Sequence, residues 1–498
     1  MHVNVRCLAN SATCAVFSVT LAIQPSWAQS GVNVERFLEW GLEVAQNVDA
    51  TLQLPNESLF AETAHSDGSQ SGGWNGKAFA WPHSAQFRVI NSLARYHPNQ
   101  YRPVLRSFAD EFHAAYWSQS DGGYYCCHGG GDRFYDDNAH LAVALAEAYD
   151  VTKDKVYLER ARSTFDFLLT GEAPGANGGS YWSVHDHSFL DTTAALQGAR
   201  AALMLYKATD DPAYLEHAHR RYGWARDVTQ LRSGTFMEKL FLTGPKANQI
   251  GDFDLVHYAG YAIAANSLFH DVTGEDSYLQ EAQRIANASL SRYFDPATQR
   301  INDEGFWAYE LVDGLVELYS RDRNPLWLGR VATALQWLRD NKEDQAGHYG
   351  KFWGRGGPQI GLLNSWSLND QSPVARAFLH TGLVQVSPIV DGDFTADGVV
   401  DGRDLAAWRS AFAVANRGDG NGDGDSDGQD FLIWQRTLAP GGTLATAAVP
   451  EPAASVLTAA ALIPLAVLRK KSRSPVLAGC FWPCRPSNHN SADCLFLG

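Results

Sequence analysis

Four stretches between residues 140 and 330 share a pattern in which apolar residues recur every three or four positions on both sides of a short polar turn. Each copy carries an aromatic-leucine pair at the same place after its turn, at Tyr157-Leu158, Tyr214-Leu215, Tyr278-Leu279 and Trp327-Leu328. Apolar residues at this interval line one face of a helix, and the Asp, Gly or Pro in each turn ends the first helix. The pattern therefore predicts four helical hairpins.

Two more hairpins fit before this repeat, from Val34 to Tyr96 and from Tyr101 to Tyr149. Six hairpins with long connections favour a closed ring, since the repeats of an open solenoid are shorter and have little sequence between them. We therefore expect an all-α fold, an (α/α)6 six-hairpin barrel over residues 33–385. Four Gly-rich connections should meet at one end of it and form the site. They are Gly72–Trp81, Asp121–Tyr135, Gly175–His187 and Gly347–Gly357.

One of these connections ends in two adjacent carboxylates, Asp136 and Asp137, between Tyr135 and Asn138. Asp at the start of a helix often caps free backbone amides, and that interpretation stays open at this point. Retaining cleavage of a glycoside, however, needs a nucleophile and an acid/base whose carboxyl groups lie about 5–5.5 Å apart. A neighbouring negative charge and aromatic walls raise the pKa of one carboxyl and keep it protonated. The pair is therefore a candidate for two-carboxylate catalysis.

The sequence around Asp136 and Asp137 resembles the motif of glycoside hydrolase family 76, the endo-acting α-1,6-mannanases, in which two Asp follow an aromatic residue and precede an Ala. The Ala-rich helix and the Tyr-Leu pair after it also match, and the resemblance covers about residues 34–380. It implies that Asp136 is the nucleophile and Asp137 the acid/base. The chain departs from the family pattern where His140 replaces the usual Trp and where Val256–Gly260 replaces an expected Tyr-Asn-Gln-Gly sequence.

Six residues near the pair or in the loops are candidates for substrate binding: Trp81, Tyr135, His140, Trp182, His257 and Tyr258. Aromatic faces at loop-to-helix junctions stack on pyranose rings, although packing in the core explains each Trp equally well. His185, Asp186 and His187 are metal-binding residue types, but nothing nearby completes the four ligands of a structural zinc site. We therefore expect no cofactor for catalysis.

Acidic residues outnumber basic ones, 55 Asp+Glu against 40 Lys+Arg, which gives the 498 residues a formal charge of −15. Nucleic-acid binding depends on clustered Lys and Arg, so we expect no nucleic-acid partner. Part of the acidity is concentrated in residues 391–440, where two loops repeat the oxygen-rich spacing of a calcium site with Gly at position 6. The predicted calcium ligands are Asp393, Thr395, Asp397, Val399, Asp401 and Asp404 in the first loop and Asp419, Asn421, Asp423, Asp425, Asp427 and Asp430 in the second.

Each of these loops is followed by a matching apolar segment, with Trp408 and Trp434 at equivalent positions. The two loops together resemble a type I dockerin, a small helical module with two EF-type loops. That resemblance implies two bound calcium ions and a cohesin-type protein partner. Stabilisation of one end of the enzyme is the alternative role for this module.

The two ends of the chain carry sequences typical of export. Residues 1–28 combine Arg6, an apolar run and Ser26-Trp27-Ala28, which predicts a cleaved signal peptide, with a buried N-terminal helix as the alternative. Residues 449–473 contain Pro-Glu-Pro, a hydrophobic helix and a basic cluster, and resemble a PEP-CTERM sorting signal. We therefore expect an exported protein of the cell envelope or the extracellular space, associated with the membrane through this helix before processing. We assign no role to the tail, residues 474–498.

Cys126 and Cys127 are the cysteines that lie between these two ends. Two cysteines exclude a disulfide scaffold for a domain of this size. A strained bridge between the neighbours and two free thiols both stay open.

These features predict an exported glycoside hydrolase that cleaves an α-linked polysaccharide, with endo-α-1,6-mannan as the expected substrate, by a retaining mechanism. One alternative keeps the barrel but makes it a sugar epimerase or isomerase, with His185, His187 or His257 as acid and base. The other is a non-catalytic glycan-binding or scaffold protein in which the two Asp only cap a helix.

Overall fold

The computed structural model describes residues 34–384 apart from residue 323, together with residues 32, 392, 394, 400–412 and 426–438. The chain divides into two units, residues 1–444 and 445–498, and the second lies wholly outside the described residues. The predicted signal peptide, the PEP-CTERM-like segment and the tail also lie outside them. Among the described residues, no helix combines the length and the apolar character that crossing a membrane requires.

Six of the described helices form an inner ring, in which each helix packs against the next and the last packs against the first. They are α2 (Ala80–Tyr96), α4 (Tyr135–Thr152), α6 (Thr192–Thr209), α8 (Val256–Thr273), α10 (Gly305–Asp322) and α12 (Leu368–Leu383). Six further helices pack outside this ring: α1 (Glu35–Thr51), α3 (Pro98–Tyr116), α5 (Lys155–Thr170), α7 (Pro212–Trp224), α9 (Asp276–Tyr293) and α11 (Pro325–Lys342). The prediction of an all-α six-hairpin barrel is confirmed.

Residue size and polarity separate the two rings. The inner helices are buried on nearly every side and are rich in Ala and Gly, as in α8, where all residues from Val256 to Phe269 are buried. At Gly260 and Gly314 the backbones of α8 and α10 come so close that a Cβ on Gly314 would lie 2.6 Å from the carbonyl oxygen of Gly260. The outer helices bury only one face, which is the pattern of an amphipathic surface helix.

The sequence-based pairing of the first helices is wrong. The predicted hairpin from Val34 to Tyr96 would join α1 to α2, and the one from Tyr101 to Tyr149 would join α3 to α4, whereas α1 packs along α12 and α3 packs on α2. Helix α1 therefore completes the hairpin of α12, the last inner helix of the barrel, which closes the ring. The repeat itself is confirmed, because α4 with α5, α6 with α7, α8 with α9 and α10 with α11 form hairpins.

Short strands, which the sequence pattern did not predict, organise the connections that lead into the inner helices. They are β1 (Thr63–His65), β2 (Gln70–Ser71), β3 (Ser180–Tyr181), β4 (Phe189–Asp191), β5 (Lys239–Phe241) and β6 (Ser365–Ser367), in two antiparallel sheets of order β2-β1-β6 and β3-β4-β5. Thr63 pairs with Ser367, so the first sheet joins the connection after α1 to the connection before α12. In the second sheet, Asp191 pairs with both Ser180 and Lys239.

Helices α13 (Gly402–Ala411) and α14 (Gly428–Thr437) follow the two predicted calcium loops. They exchange equivalent hydrogen bonds: Trp408 Nε1 donates to the carbonyl oxygen of Asp427 at 2.9 Å, and Trp434 Nε1 to that of Asp401 at 2.9 Å. The duplication in the sequence is thus an internal near-twofold arrangement of this helix pair. Of the predicted ligands, Asp401, Asp404, Asp427 and Asp430 are described, and the other eight lie outside the described residues. Calcium binding therefore stays a prediction.

Candidate active site

Asp136 and Asp137 lie in the first turn of α4, at the end of the barrel where the Gly-rich connections enter the inner helices. The predicted gathering of these connections is confirmed by hydrogen bonds between them, such as Tyr135 N to the carbonyl oxygen of Trp182 at 2.7 Å. The N-cap of α4 is Phe134, whose side chain makes no capping bond. Neither carboxylate occupies the capping position, and both lie where the positive end of a helix dipole favours negative charge.

The carboxylate of Asp136 is held by two donors. Its Oδ1 accepts from the backbone N–H of Asp137 at 2.9 Å, and its Oδ2 accepts from Nε1 of Trp182 at 2.9 Å. Burial raises the pKa of Asp136, while the Asp137 amide, His140 and the Trp182 indole pull it down. Donors aimed at the ionised form make Asp136 the member of the pair that carries the negative charge.

The pKa of Asp137 is raised more strongly than that of Asp136. Burial and the neighbouring charge of Asp136 both raise the pKa of Asp137 well above its usual range. Two adjacent carboxyl groups in a site of low polarity do not ionise together, so the second proton stays on Asp137. The arrangement supplies one carboxylate and one carboxylic acid side by side, the combination that general acid catalysis with a nucleophile requires.

Two further carboxyl groups, which the sequence did not single out, belong to the same site. Asp191 is 8% exposed and caps α6, accepting from Ala194 N at 2.7 Å. Burial and the charge of Asp136 raise the pKa of Asp191 well above its usual range. Glu238 is 7% exposed, and its Oε2 lies 3.4 Å from Nζ of Lys239. The sequence indicates Asp191 only weakly, because it is an Asp directly before a predicted helix. It does not indicate that Glu238 belongs to the site.

His140 lies one helical turn after Asp136 in α4, with its ring inside the inner ring of helices. It is 4% exposed, and its two ring nitrogens lie 3.2 Å from Nε2 of Gln197 and 3.2 Å from the hydroxyl of Tyr261. Its Nδ1 also lies 3.5 Å from Oε1 of Glu310. His140 is therefore buried among side chains of α6, α8 and α10, and its predicted contact with substrate stays a prediction.

Aromatic side chains from three inner helices form a continuous wall. His257 on α8 stacks on Trp307 of α10, with ring centroids 4.0 Å apart and planes 21° apart. The ring of Trp307 lies 5.0 Å from that of Trp81 at the start of α2, and Phe306 packs edge-on against Trp81 at 5.0 Å. His257 is 1% exposed, whereas Trp81 and Trp307 are half-buried and present ring surface to solvent.

The two predicted tyrosines have different environments. Tyr258 is 4% exposed, and burial together with the charges of Asp191, Glu238 and Asp136 raises its pKa. It therefore stays a neutral hydroxyl among the carboxyl groups of the site. Tyr135 is also 4% exposed, but its ring stacks on Phe167 at 4.9 Å, and its hydroxyl lies 3.3 Å from that of Thr170. Tyr135 thus packs in the core towards α5, which gives its expected role in substrate binding no support.

The histidines of the connection between β3 and β4 are engaged elsewhere. Nδ1 of His185 lies 2.7 Å from Oδ1 of Asp132, and the side chain is 74% exposed. His187 stacks on Tyr181 with ring centroids 4.0 Å apart. Within the part of the chain that the structure describes, no group of three or more His, Cys, Asp or Glu side chains is arranged to hold a metal ion.

The model of glycosyl hydrolase family 76 matches residues 56–335, more than half of the chain. The protein belongs to glycosyl hydrolase family 76. The match includes Asp136, Asp137, Trp182 and His257, and it makes the chain a glycoside hydrolase. A comparison of this family 76 protein with curated proteins found no match.

Solved structures share the fold of this family 76 protein. The α-mannanase of family 76 from Bacteroides thetaiotaomicron is 22% identical, with a TM-score of 0.63 over 70% of this chain and 95% of that one. An inactive variant of the α-1,6-mannanase from Salegentibacter sp., in complex with α-1,6-mannotriose, is 18% identical, with a TM-score of 0.60 over 70% and 99%. A D-mannose isomerase is 16% identical, with a TM-score of 0.56 over 72% and 99%.

Proposed function

We propose that this protein is a retaining α-mannanase that cleaves α-1,6-linked mannan within the chain. The observation that carries the proposal is the adjacent carboxyl pair, in which Asp136 accepts from two donors, while burial and the charge of Asp136 raise the pKa of Asp137. The solved structures of α-mannanases with the same barrel support mannan as the substrate class. The complex of one of them with α-1,6-mannotriose supports the linkage.

In the proposed reaction, the carboxylate of Asp136 attacks the anomeric carbon while Asp137 donates its proton to the departing glycosidic oxygen. A covalent mannosyl ester on Asp136 results. Asp137, now ionised, then removes a proton from a water molecule that attacks the same carbon, which releases the product and restores the proton on Asp137. Two inversions give net retention of the anomeric configuration.

We infer the substrate-binding residues from the side chains that surround the carboxyl pair. The exposed ring surfaces of Trp81 and Trp307 suit stacking on pyranose faces, and Tyr258 offers a neutral hydroxyl to a sugar hydroxyl. Trp182 has its indole N–H committed to Asp136, so it contributes a ring face and the orientation of the nucleophile. Trp81, Trp182 and Tyr258 thus remain the proposed substrate-binding residues near the carboxyl pair, and the buried ring of His257 supports Trp307 by stacking on it.

The test is hydrolysis of a panel of mannans by the purified protein and by Asp136→Asn and Asp137→Asn variants. We expect release of oligosaccharides from α-1,6-mannan, retention of the anomeric configuration in the first product seen by NMR, and a loss of about 10³-fold or more in either variant with an unchanged circular dichroism spectrum. Full activity in either variant excludes the roles assigned here. Binding of mannan without turnover by the unmodified protein favours a non-catalytic glycan-binding or scaffold protein.

A sugar isomerase or epimerase is the second candidate, because a D-mannose isomerase shares the fold. In that case a histidine such as His257, rather than the Asp pair, would exchange the proton beside the carbonyl group of a free sugar. Incubation with mannose in deuterated water distinguishes the two, since an isomerase incorporates solvent deuterium at C2 and a glycosidase does not. The three candidate histidines have different environments: His185 is exposed, His187 stacks on Tyr181, and His257 is buried.

For residues 391–440 we propose a dockerin-like module with two calcium ions and a cohesin-type partner. The equivalent positions of Trp408 and Trp434 in the helix pair support a duplicated module. Calcium should raise the melting temperature of the module, both in the full chain and in a fragment that spans residues 391–440. EDTA should reverse the effect. A calcium-independent melting curve for the module in the full chain excludes this reading.

We also propose that the protein is exported, with residues 1–28 removed and residues 449–473 acting as a sorting and membrane segment. The support is the sequence alone, an apolar run before Ser26-Trp27-Ala28 and a Pro-Glu-Pro motif before a hydrophobic stretch with basic residues after it. Fractionation of the producing cells, with mass spectrometry of both termini, tests the proposal. Intact protein recovered from the cytoplasm contradicts it.

A further inference from the structure

The adjacent cysteines Cys126 and Cys127 lie in the connection between α3 and α4, ten and nine residues before Asp136. In an extended chain, consecutive side chains point to opposite sides. Here the backbone turns so that both side chains lie on the same side, with the Sγ atoms 2.7 Å apart. Both thiols are free, and Cys126 is partly exposed while Cys127 is 8% exposed.

The surrounding backbone fixes this placement. Cys126 is held on both sides, because its N–H donates to the carbonyl oxygen of Asp132 at 2.8 Å and its carbonyl oxygen accepts from Ala80 N at 2.9 Å. Gly131, at φ +105°, lies directly against the sulfurs, and a Cβ there would lie 2.8 Å from Sγ of Cys126. The two thiols therefore face each other in a loop whose other contacts hold them together.

We propose that Cys126 and Cys127 form a redox-active dithiol, a covalent modification site that closes to a disulfide within this loop. With a small-molecule disulfide such as oxidised glutathione as the oxidant, one protein thiolate attacks the glutathione disulfide and releases one glutathione. The second protein thiolate then displaces the other glutathione and forms the Cys126–Cys127 bond. Two protein thiols lose two protons and two electrons, and one oxidised glutathione becomes two reduced molecules.

Two physical arguments set the behaviour of this bond. A trans peptide holds consecutive Cα atoms about 3.8 Å apart, below the roughly 4.4–6.8 Å of ordinary disulfides, so the eight-membered ring is strained and easily reduced. Burial and the neighbouring Cys127 thiol raise the pKa of Cys126 to about 12. Since the thiolate is the reacting form, attack by Cys126 should be slow at neutral pH and should accelerate about tenfold for each unit by which the pH rises towards that pKa.

The same loop supports the catalytic helix. Tyr124 N donates to Oδ1 of Asn138 at 2.6 Å, and Nδ2 of Asn138 donates to the carbonyl oxygen of Tyr124 at 2.9 Å. Asn138 directly follows Asp137 and is fully buried. Closing the ring two residues after Tyr124 removes freedom from the segment that positions the start of α4.

The decisive experiment is peptide mass spectrometry of the full chain. Trypsin cuts after Arg106 and Arg133, and the peptide 107–133 contains Cys126 and Cys127 as its two cysteines. After incubation with oxidised glutathione, denaturation and alkylation, we expect this peptide without alkyl groups and lighter by two hydrogens. After dithiothreitol it should carry two alkyl groups. A peptide that still takes two alkyl groups after oxidation, or that carries glutathione on each cysteine, overturns the proposal.

Single variants are the matched controls. Cys126→Ser and Cys127→Ser each keep one thiol and should carry one glutathione instead of the internal bond.

A second test uses the unmodified chain, so its result does not depend on whether the variants fold. Phenylarsine oxide binds two facing thiols through its arsenic atom and releases one water. One arsenic on peptide 107–133 of the reduced protein, and none on that of the oxidised protein, supports the facing placement. Capture of no arsenic by the reduced protein contradicts it.

A second readout rests on the proposed mannanase activity. Because the closed ring stiffens the loop behind Asn138, we expect the oxidised protein to hydrolyse mannan about twofold faster or more than the reduced protein. Cys126→Ser should show no difference between the two redox conditions. Equal rates for two forms whose redox state has been verified by mass overturn the link to the active site. The mass measurement stands independently of whether mannan is the substrate.

Discussion

The indole Nε1 of Trp182 donates to the carboxylate Oδ2 of Asp136 at 2.9 Å, while the carbonyl oxygen of Trp182 accepts from the N–H of Tyr135 at 2.7 Å. One residue of the connection before β4 thus holds both the backbone at the start of α4 and the carboxylate one residue later. The indole donor pulls the pKa of Asp136 down against the effect of burial. This contact joins two connections that lie more than forty residues apart in the sequence.

Trp182→Phe keeps the ring and removes this donor. A hydrogen bond to a charged group contributes about 1.5–3 kcal/mol, so we expect mannan turnover to fall about 10- to 100-fold. The acid limb of the pH–rate profile should move to higher pH, because a carboxylate without its donor ionises at higher pH. The measurement is kcat/KM on α-1,6-mannan over a range of pH.

Trp327→Phe is the matched control for this variant. Nε1 of Trp327 donates to Oδ2 of Asp322 at 2.9 Å, the same kind of bond at the same distance, at the start of α11 on the outer ring. Its loss should lower the free energy of unfolding without moving the pH–rate profile. A similar shift of the profile in both variants would mean that loss of stability, not loss of the donor to Asp136, explains the result.

Asp137→Asn should abolish turnover and stabilise the fold at neutral pH. Burial and Asp136 raise the pKa of Asp137 in the folded protein, so its contribution to stability is fully present below the unfolded pKa and is lost as pH rises towards the folded value. Asn copies the protonated form and loses nothing. Each unit of pKa displacement corresponds to about 1.4 kcal/mol.

We therefore expect the difference in free energy of unfolding between Asp137→Asn and the unmodified protein to grow from pH 4 to pH 7. Urea unfolding at several pH values measures it. Asp136→Asn should show a smaller gain, since the charge of Asp136 already has the donors Trp182 and the Asp137 amide. A gain that does not depend on pH would contradict the raised pKa of Asp137.

Arg88 on α2 is the centre of a buried ion network among the inner helices. It is fully buried and pairs with Glu147 at 2.9 Å, with Glu310 at 3.1 Å and with Asp313. Removal of one member of a buried network leaves uncompensated charge, so Arg88→Met should lower the free energy of unfolding by about 3–5 kcal/mol. Urea denaturation at pH 7 measures the change.

Arg95, two turns further along α2, provides the comparison. It pairs with Asp150 at 3.0 Å, but both side chains are about half exposed, at 46% and 53%. Water screens such a pair, and Arg95→Met should cost about 0–1 kcal/mol. Equal costs for the two variants would show that burial does not govern the strength of these ion pairs.

Gly260 on α8 tests the packing of the inner ring. A Cβ at this position would overlap the backbone carbonyl of Glu310, so Gly260→Ala forces α8 and α10 apart. We expect a cost of about 1–3 kcal/mol or more in the free energy of unfolding. Gly223→Ala is the control, because a Cβ at this position in α7 would meet nothing within 4 Å. It should be neutral or stabilise the protein by up to about 1 kcal/mol, since Ala favours a helix interior over Gly.

The sequence pattern predicted the helices well and their pairing only in part. Four hairpins followed from a local signal, the turn between two amphipathic segments, and neighbouring helices in the chain pack together there. The packing of α1 on α12 joins segments more than 300 residues apart, and no local pattern encodes such a contact. The short strands could not be predicted either, since Thr63 pairs with Ser367, about 300 residues away in the sequence.

For the proposed active site, the sequence by itself determined the carboxyl pair to which we assign the chemistry. Adjacent Asp136 and Asp137 at a helix start are a local feature, and neither needs a distant partner to be recognised. Only the tertiary structure set the pKa values of the two carboxyl groups apart, because the difference depends on Trp182, His140 and the burial that the barrel provides. It also added Asp191 and Glu238, and it placed Tyr135 in the core. Charge and proton affinity depend on what the fold brings within a few ångströms, and that information is spread over the whole chain.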